Sequence, residues 1–239
     1  GNGTFTLKYN QADTDYYGMQ DESSKLNINN ILTGGKVDDN RKKEFKQLIM
    51  NILGTSEVEA GEMADNFANW IDNIDDNQET FSNGEIQAKN APLDRLEELA
   101  MIDGFSIEDV NKLSGYITIY GDGSININTA SQAVLSSLCC DKDGNPLGDE
   151  AAEEIITYRG SGENGKIKPI ESITDFLDQD KSGINFSPEK KEILKSREVQ
   201  SSYYKANSQA EVNGVKKELN AVINFTKDKT PKYLYWYED

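Results

Sequence analysis

Between positions 72 and 85 the chain reads Asp-Asn-Ile-Asp-Asp-Asn-Gln-Glu-Thr-Phe-Ser-Asn-Gly-Glu. Asp72, Asp75, Asp76, Asn77, Glu79 and Glu85 bring carboxylate and amide oxygens into one segment. A calcium ion takes about six to eight oxygen ligands of these kinds. If the segment is ordered without a cation, its like charges repel one another. The competing reading is a solvated acidic loop that binds nothing. A second, weaker candidate is formed by Asp141, Asp143, Asn145, Asp149 and Glu150. Its opening, Asp141-Lys142-Asp143-Gly144-Asn145, resembles the start of an EF-hand loop. The sixth position is then Pro146 where Gly is needed, and the twelfth is Ala152 where Glu is needed. A plain Asp-Gly-rich turn is the better account there.

Other chemistry is thinly supplied. The chain has no histidine. It therefore lacks the commonest general base near neutral pH and the commonest zinc ligand, and Ser-His-Asp and Cys-His arrangements are excluded. Carboxylate pairs such as Asp72 with Glu79, or Asp143 with Glu150, have the chemistry of a glycosidase site. Among 42 acidic residues such pairs arise by chance, and no cleft-forming aromatic cluster accompanies them. The chain is not read as an enzyme. Its two cysteines, Cys139 and Cys140, are adjacent. A strained vicinal bridge, pairing with another chain and buried thiols all stay open.

These segments must be held by elements the sequence also signals. Phe5, Leu7 and Tyr9 alternate with polar residues, as in a half-buried strand over 4–9, and a weaker strand is expected over 20–28. Helices are expected over 38–53, stopped by Gly54, and over 56–71, where Ser56 and Glu59 suit a capping box. The polar stretch 72–90 reads as a long loop. Pro92 is placed to open a helix through Leu93, Leu96 and Leu99. A turn at Gly104 and a short helix over 106–113 then give a helix-hairpin-helix-like pattern. Tyr116–Tyr120 reads as a strand that Ser124–Asn128 continues, and Thr129 as the cap of a helix over 130–138. Further helices are expected over 150–159, from Ser172 or Thr174, and from Ser187 or Pro188 to Lys195. The tail reads as strands over 199–207, 210–225 and 233–237, with Asn213-Gly214 as a hairpin turn.

The charge is uneven. The formal net charge is −17, yet residues 188–239 carry ten basic and eight acidic residues. Such an acidic field repels phosphate backbones, so nucleic acid is excluded as a partner. Asp103, Glu108 and Asp109 around the helical hairpin exclude it locally as well. No apolar run approaches membrane-spanning length.

One motif occurs twice. Leu26-Asn27-Ile28-Asn29 and Ile125-Asn126-Ile127-Asn128 each precede a helix. Asn side chains in such a joint tie down turn backbone. With this echo, Ala68-Asn69-Trp70-Ile71-Asp72, the Pro92–Leu99 segment, Tyr116–Thr129 and the closing strands with Trp236, the chain resembles the K-type minor pseudopilins of bacterial type II secretion systems. Its loop after Asp72 departs from the family's ligand spacing.

The resemblance implies an α+β fold, a pilin-like antiparallel sheet core carrying a large, mainly helical insertion. The core is expected in residues 1–28 and 197–239. The insertion is expected in 29–115 and 130–196, around a strand segment at 116–129. The resemblance further implies an N-terminal membrane helix outside this sequence, methylation, an inner-membrane anchor and a periplasmic location. It implies bound Ca2+ and a place at the pseudopilus tip. The partners it implies are I-type and J-type minor pseudopilins, with the major pseudopilin as a further one. The alternative is a calcium-dependent extracellular adhesion or protein-binding module.

Overall fold

The computed structural model describes residues 3–11, 14–72, 88–139, 145–160, 169–226 and 228–238. The chain opens with β1 (Gly3–Gln11), β2 (Thr14–Tyr17) and β3 (Gln20–Asp21). Short strands β4 (Leu26–Asn27), β5 (Leu32–Thr33) and β6 (Lys36–Val37) lead to helices α1 (Asp39–Leu53) and α2 (Glu57–Ile71). Then come a 3-10 segment (Leu96–Met101), α3 (Ile107–Leu113) and β7 (Ile117–Thr118). Helices α4 (Gln132–Ser137), α5 (Asp149–Gly160), α6 (Ile173–Leu177), α7 (Gln179–Ser182) and α8 (Pro188–Lys195) follow. The chain ends in β8 (Tyr203–Val212), β9 (Val215–Phe225) and β10 (Pro231–Glu238).

The two ends of the chain build one antiparallel sheet in the order β10-β9-β8-β1-β2, with β3 also on β8. The β8–β9 hairpin is in register from Tyr203↔Asn224 to Val212↔Val215. Its turn needs two consecutive left-handed residues, and Asn213 (φ 53°) and Gly214 (φ 80°) supply them. The expected split of this strand near Ser208 is absent, and β8 runs through to Val212. Among the described residues, the regular elements between β3 and β8 are helical apart from β4–β7, so the sheet core and the large helical region are both present.

The long helices follow their sequence signals. The Asp38 side chain accepts from the Asn40 and Arg41 amides, and α1 stops at Gly54 with φ 69°. Ser56 caps α2 by accepting from the Glu59 amide. Phe45, Leu48 and Ile49 of α1 and Met63, Phe67 and Ile71 of α2 are buried. Phe45 meets Phe67 edge-to-face at 5.3 Å and stacks on Phe105 at 6.1 Å. A second aromatic group, Tyr158, Phe176 and Phe186, closes around α5 and α6.

Five expectations are corrected, three of them because a side chain is bonded elsewhere. The strand over 20–28 is broken, since the Asp21 carboxylate accepts from the Ser23 amide and starts a 3-10 turn over Glu22–Ser24. The helix after Pro92 begins only at Leu96, because Asn29 holds both the Leu93 amide and carbonyl. Only Ile117–Thr118 of the 116–120 strand pairs, and it does so in parallel with Leu26–Asn27. The 124–128 stretch contributes one bridge, Asn126↔Glu198. Thr129 does not cap α4; Ser131 does, and the Thr129 hydroxyl turns to Asp21.

The repeated Asn motif is a repeated structure. Asn27 Oδ1 accepts from the Asn29 amide at 3.0 Å, and Asn126 Oδ1 from the Asn128 amide at 2.9 Å. Asn29 donates to Leu93 O and accepts from Leu93 N; Asn128 does the same with Ile170. Each motif bridges in parallel to a segment that ends its own half, at Ile117–Thr118 and at Glu198. Each half also contains a Ser-capped helix after a turn, α3 from Ser106 and α8 from Ser187. The helical region is therefore two related units in tandem.

Candidate docking surface

The predicted metal ligands do not form a site among the described residues. Asp72 ends α2, is 8% exposed, and its amide donates to Ala68 O at 2.9 Å. Asp75, Asp76, Asn77, Glu79 and Glu85 lie outside the described residues, as do Asp141 and Asp143. Asn145 is exposed. Asp149 and Glu150 are exposed in the first turn of α5, where negative charge suits the helix dipole. Glu150 Oε2 faces Lys190 Nζ at 4.0 Å. Among the described residues no group of three or more His, Cys, Asp or Glu converges to hold a metal.

Two buried polar clusters join the parts of the fold instead. At the foot of the sheet, Asp21 accepts from Ser23 N, from Thr129 Oγ1 and from Ser201 Oγ. Ser23 Oγ accepts from the Ser202 and Tyr203 amides, where the chain enters β8. Burial pushes the Asp21 carboxyl up from its ordinary value, and the hydrogen bonds from Ser201, Thr129 and Ser23 oppose that push. Beside it, Glu22 accepts from Lys25 Nζ at 2.9 Å and from Thr118 Oγ1 at 2.6 Å. Burial pushes the Lys25 ammonium down, opposed by Glu22.

The second cluster lies inside the helical region. Glu44 Oε1 accepts from Arg197 Nη2 at 2.6 Å and from the Cys139 amide at 3.0 Å. Arg197 also donates to Cys139 O and Ile193 O. The Glu44 and Arg197 side chains are 1% and 3% exposed. One carboxylate thus clamps α1, the segment after α4 and the residue that follows α8. Cys139 is buried in this clamp.

The sheet itself has two unlike faces. Directly paired residues of antiparallel strands share a face. On one face the register aligns Tyr204, Ala206 and Ser208 of β8 with Ile223, Ala221 and Leu219 of β9, and Leu7 of β1 with Ser208. Tyr233 and Trp236 of β10 lie against Ile223 and Ala221 on the same face. Towards the hairpin end the face continues through Ala210 and Lys217 to Val212 and Val215. The other face carries Lys205, Asn207, Gln209 and Glu211, with Asn207, Glu218 and Asn220 hydrogen-bonded together. The helical region meets this polar face at its Tyr203 end, where Gly121 (φ 101°) comes so close that a Cβ would lie 3.3 Å from the Tyr203 ring.

The apolar face is open. Leu219, Ile223 and Phe225 are only part-buried, and Trp236, Tyr233 and Val215 are about 58%, 58% and 63% exposed. Small side chains at Ala206, Ser208, Ala210 and Ala221 leave its centre low between larger neighbours. An antiparallel sheet with one apolar face left in solvent is a surface built to be covered. The sequence reading did not identify it. The signal was there in the alternation of Ala206, Ser208 and Ala210 with Lys205, Asn207 and Gln209.

This arrangement has relatives. Residues 24–122 match the family model described as type II secretion system (T2SS), protein K. That match covers 99 of the 239 residues. A type II secretion system protein K from Pseudomonas aeruginosa is 26% identical over 152 residues, which cover 59% of this chain and 43% of that protein. The chain thus spans less than half the length of this relative. The fold is similar to a chain in the crystal structure of the GspK-GspI-GspJ complex from the enterotoxigenic Escherichia coli type 2 secretion system. The TM-score is 0.70 at 18% identity, covering 97% of this chain and 82% of that one. No helix of the described residues is long and apolar enough to cross a membrane.

Proposed function

We propose that this chain is the periplasmic part of a minor pseudopilin that assembles with I-type and J-type minor pseudopilins at the tip of the type II secretion pseudopilus. The observation that carries this reading is the open apolar sheet face, set apart from the helical region that occupies the polar face at its Tyr203 end. In the full-length protein an N-terminal membrane helix covers that face and anchors the chain in the inner membrane. The two helical units stand clear of the packing face, where their bulk stops further subunits adding. The likeness of fold to a chain crystallised with GspI and GspJ supports the choice of partners.

Calcium belongs to the same reading. The oxygen-rich run from Asp72 to Glu85 has the ligand chemistry for Ca2+, and the chain around it has a net charge of −17. Its role is to hold the exit of α2, not to take part in a reaction.

A secretion assay tests the proposal. The full-length protein, expressed in its own organism lacking the chromosomal copy, is expected to restore export of the secreted proteins. Replacing Ala206 and Ser208 by Arg places two charges in the low centre of the apolar face. Export is then expected to fail while the isolated chain stays folded by circular dichroism. Full export by that double variant would sink the reading.

A further inference from the structure

The strand β10 leaves one edge unpaired. It is the outer strand of the sheet, paired on one side with β9. All eight of its residues are exposed. A free strand edge is a template for another strand, and natural edges are usually blunted by charge. Here Tyr233-Leu234-Tyr235-Trp236-Tyr237 carries no charge, and opposite charges stand at its ends, Lys232 before it and Glu238 followed by Asp239 after it. Tyr235 is the midpoint. An antiparallel neighbour that complements this strand needs an acidic C-terminal end and a basic N-terminal end around an aromatic middle. That description is met by β10 itself.

We propose that β10 is a self-complementary edge, on which a second copy of this chain docks to continue the sheet across a twofold axis beside Tyr235. The axis lays Tyr235–Glu238 of one copy along Lys232–Tyr235 of the other, and sets Lys232 of each at the Glu238 end of its partner. The ladder to β9 has a bulge between Tyr233 and Tyr235, which puts Tyr233 and Trp236 on one face in edge-to-face contact at 5.9 Å. That twist narrows the regular part of the edge to a few residues, so the dimer is weak and reversible. The acidic bulk of the chain does not prevent it. Residues 188–239 carry ten basic against eight acidic side chains, and charges beyond about 8 Å are screened at physiological salt.

The test is sedimentation velocity on the whole chain over a concentration series, with K232E, E238K and the double K232E/E238K. The wild type is expected to show a concentration-dependent dimer. Each single reversal sets like charges together twice across the axis and is expected to raise the dissociation constant about tenfold. The double variant restores opposite charges and is expected to return to the wild-type value. Lys232 and Glu238 are both exposed edge positions, so folding is not at stake. A chain that stays monomeric throughout would overturn the proposal. So would a dimer indifferent to every variant, which would be using the apolar face, or single reversals that the double variant fails to rescue.

Discussion

Glu44 shows how single residues bind this fold together. It reaches Arg197 across 153 positions of sequence and takes the Cys139 amide on the same oxygen. Its other oxygen lies 3.5 Å from Arg41 Nη1, which in turn donates to Gly123 O. A buried carboxylate stripped of its guanidinium is an uncompensated charge, typically costing about 3–5 kcal/mol. Arg197→Ala is therefore expected to lower the unfolding free energy by an amount of that order in urea titration. The exposed Lys195–Glu192 pair nearby serves as control, since such pairs contribute about 0–1 kcal/mol. Asp21 makes a different prediction. Its folded pKa lies above the ordinary value of 3.8, so the folded chain holds its proton more tightly than the unfolded chain does. Stability then falls as pH rises from about 3.8 through the raised folded value. Asp21→Asn is expected to flatten that part of the pH–stability curve. An unchanged slope would remove Asp21 as its source. None of these contacts could be read from sequence, because residues far apart in the chain carry no sign of their pairing.

At the scale of elements, local chemistry was the better guide. Asp38, Ser56, Ser106, Ser172 and Ser187 each cap a helix where the side-chain pattern placed one. Asn213-Gly214 set the hairpin and its register. The errors came where a side chain competed with a regular ladder: Asn29 on Leu93, Thr129 and Ser201 on Asp21, Thr118 on Glu22. The doubled Asn motif was visible as an echo, but its meaning needed the matching contacts to Leu93 and Ile170. Because the two units are built alike, their locks should cost alike. Asn29→Ala and Asn128→Ala each remove three side-chain bonds to part-buried backbone. Each is expected to destabilise by about 1–3 kcal/mol. A large cost in one and none in the other would break the equivalence of the units. Gly123, at φ 82° with Asn30 Nδ2 only 2.2 Å from where a Cβ would stand, marks where the units touch. Gly123→Ala is expected to lower the melting temperature more than Gly148→Ala, which has a left-handed φ but open space around it.

Across the whole molecule the division of labour is between a sheet made by the chain's ends and a helical tandem between them. Composition exposed part of this: residues 188–239, which end in the beta tail and carry ten basic residues, follow an acidic helical middle. The sequence carried the alternation along β8 but not that the face it forms extends across the sheet and stays open, since that depends on the register between β8, β9 and β10. It also left the acidic loop from Asp72 to Glu85 as a question of coordination chemistry. Calorimetric titration of chelated protein with Ca2+ addresses that loop. Saturable binding, weakened when Asp75 and Asp76 are both changed to Asn, is expected; heat unaffected by the double change would move the ion elsewhere. The central claim concerns assembly, and light scattering on a sizing column tests it most directly. The chain is mixed with the soluble domains of the I-type and J-type minor pseudopilins from its own organism. The account predicts one peak with the mass of a complex containing one of each. Three separate peaks at their own masses, with each domain folded, would contradict it.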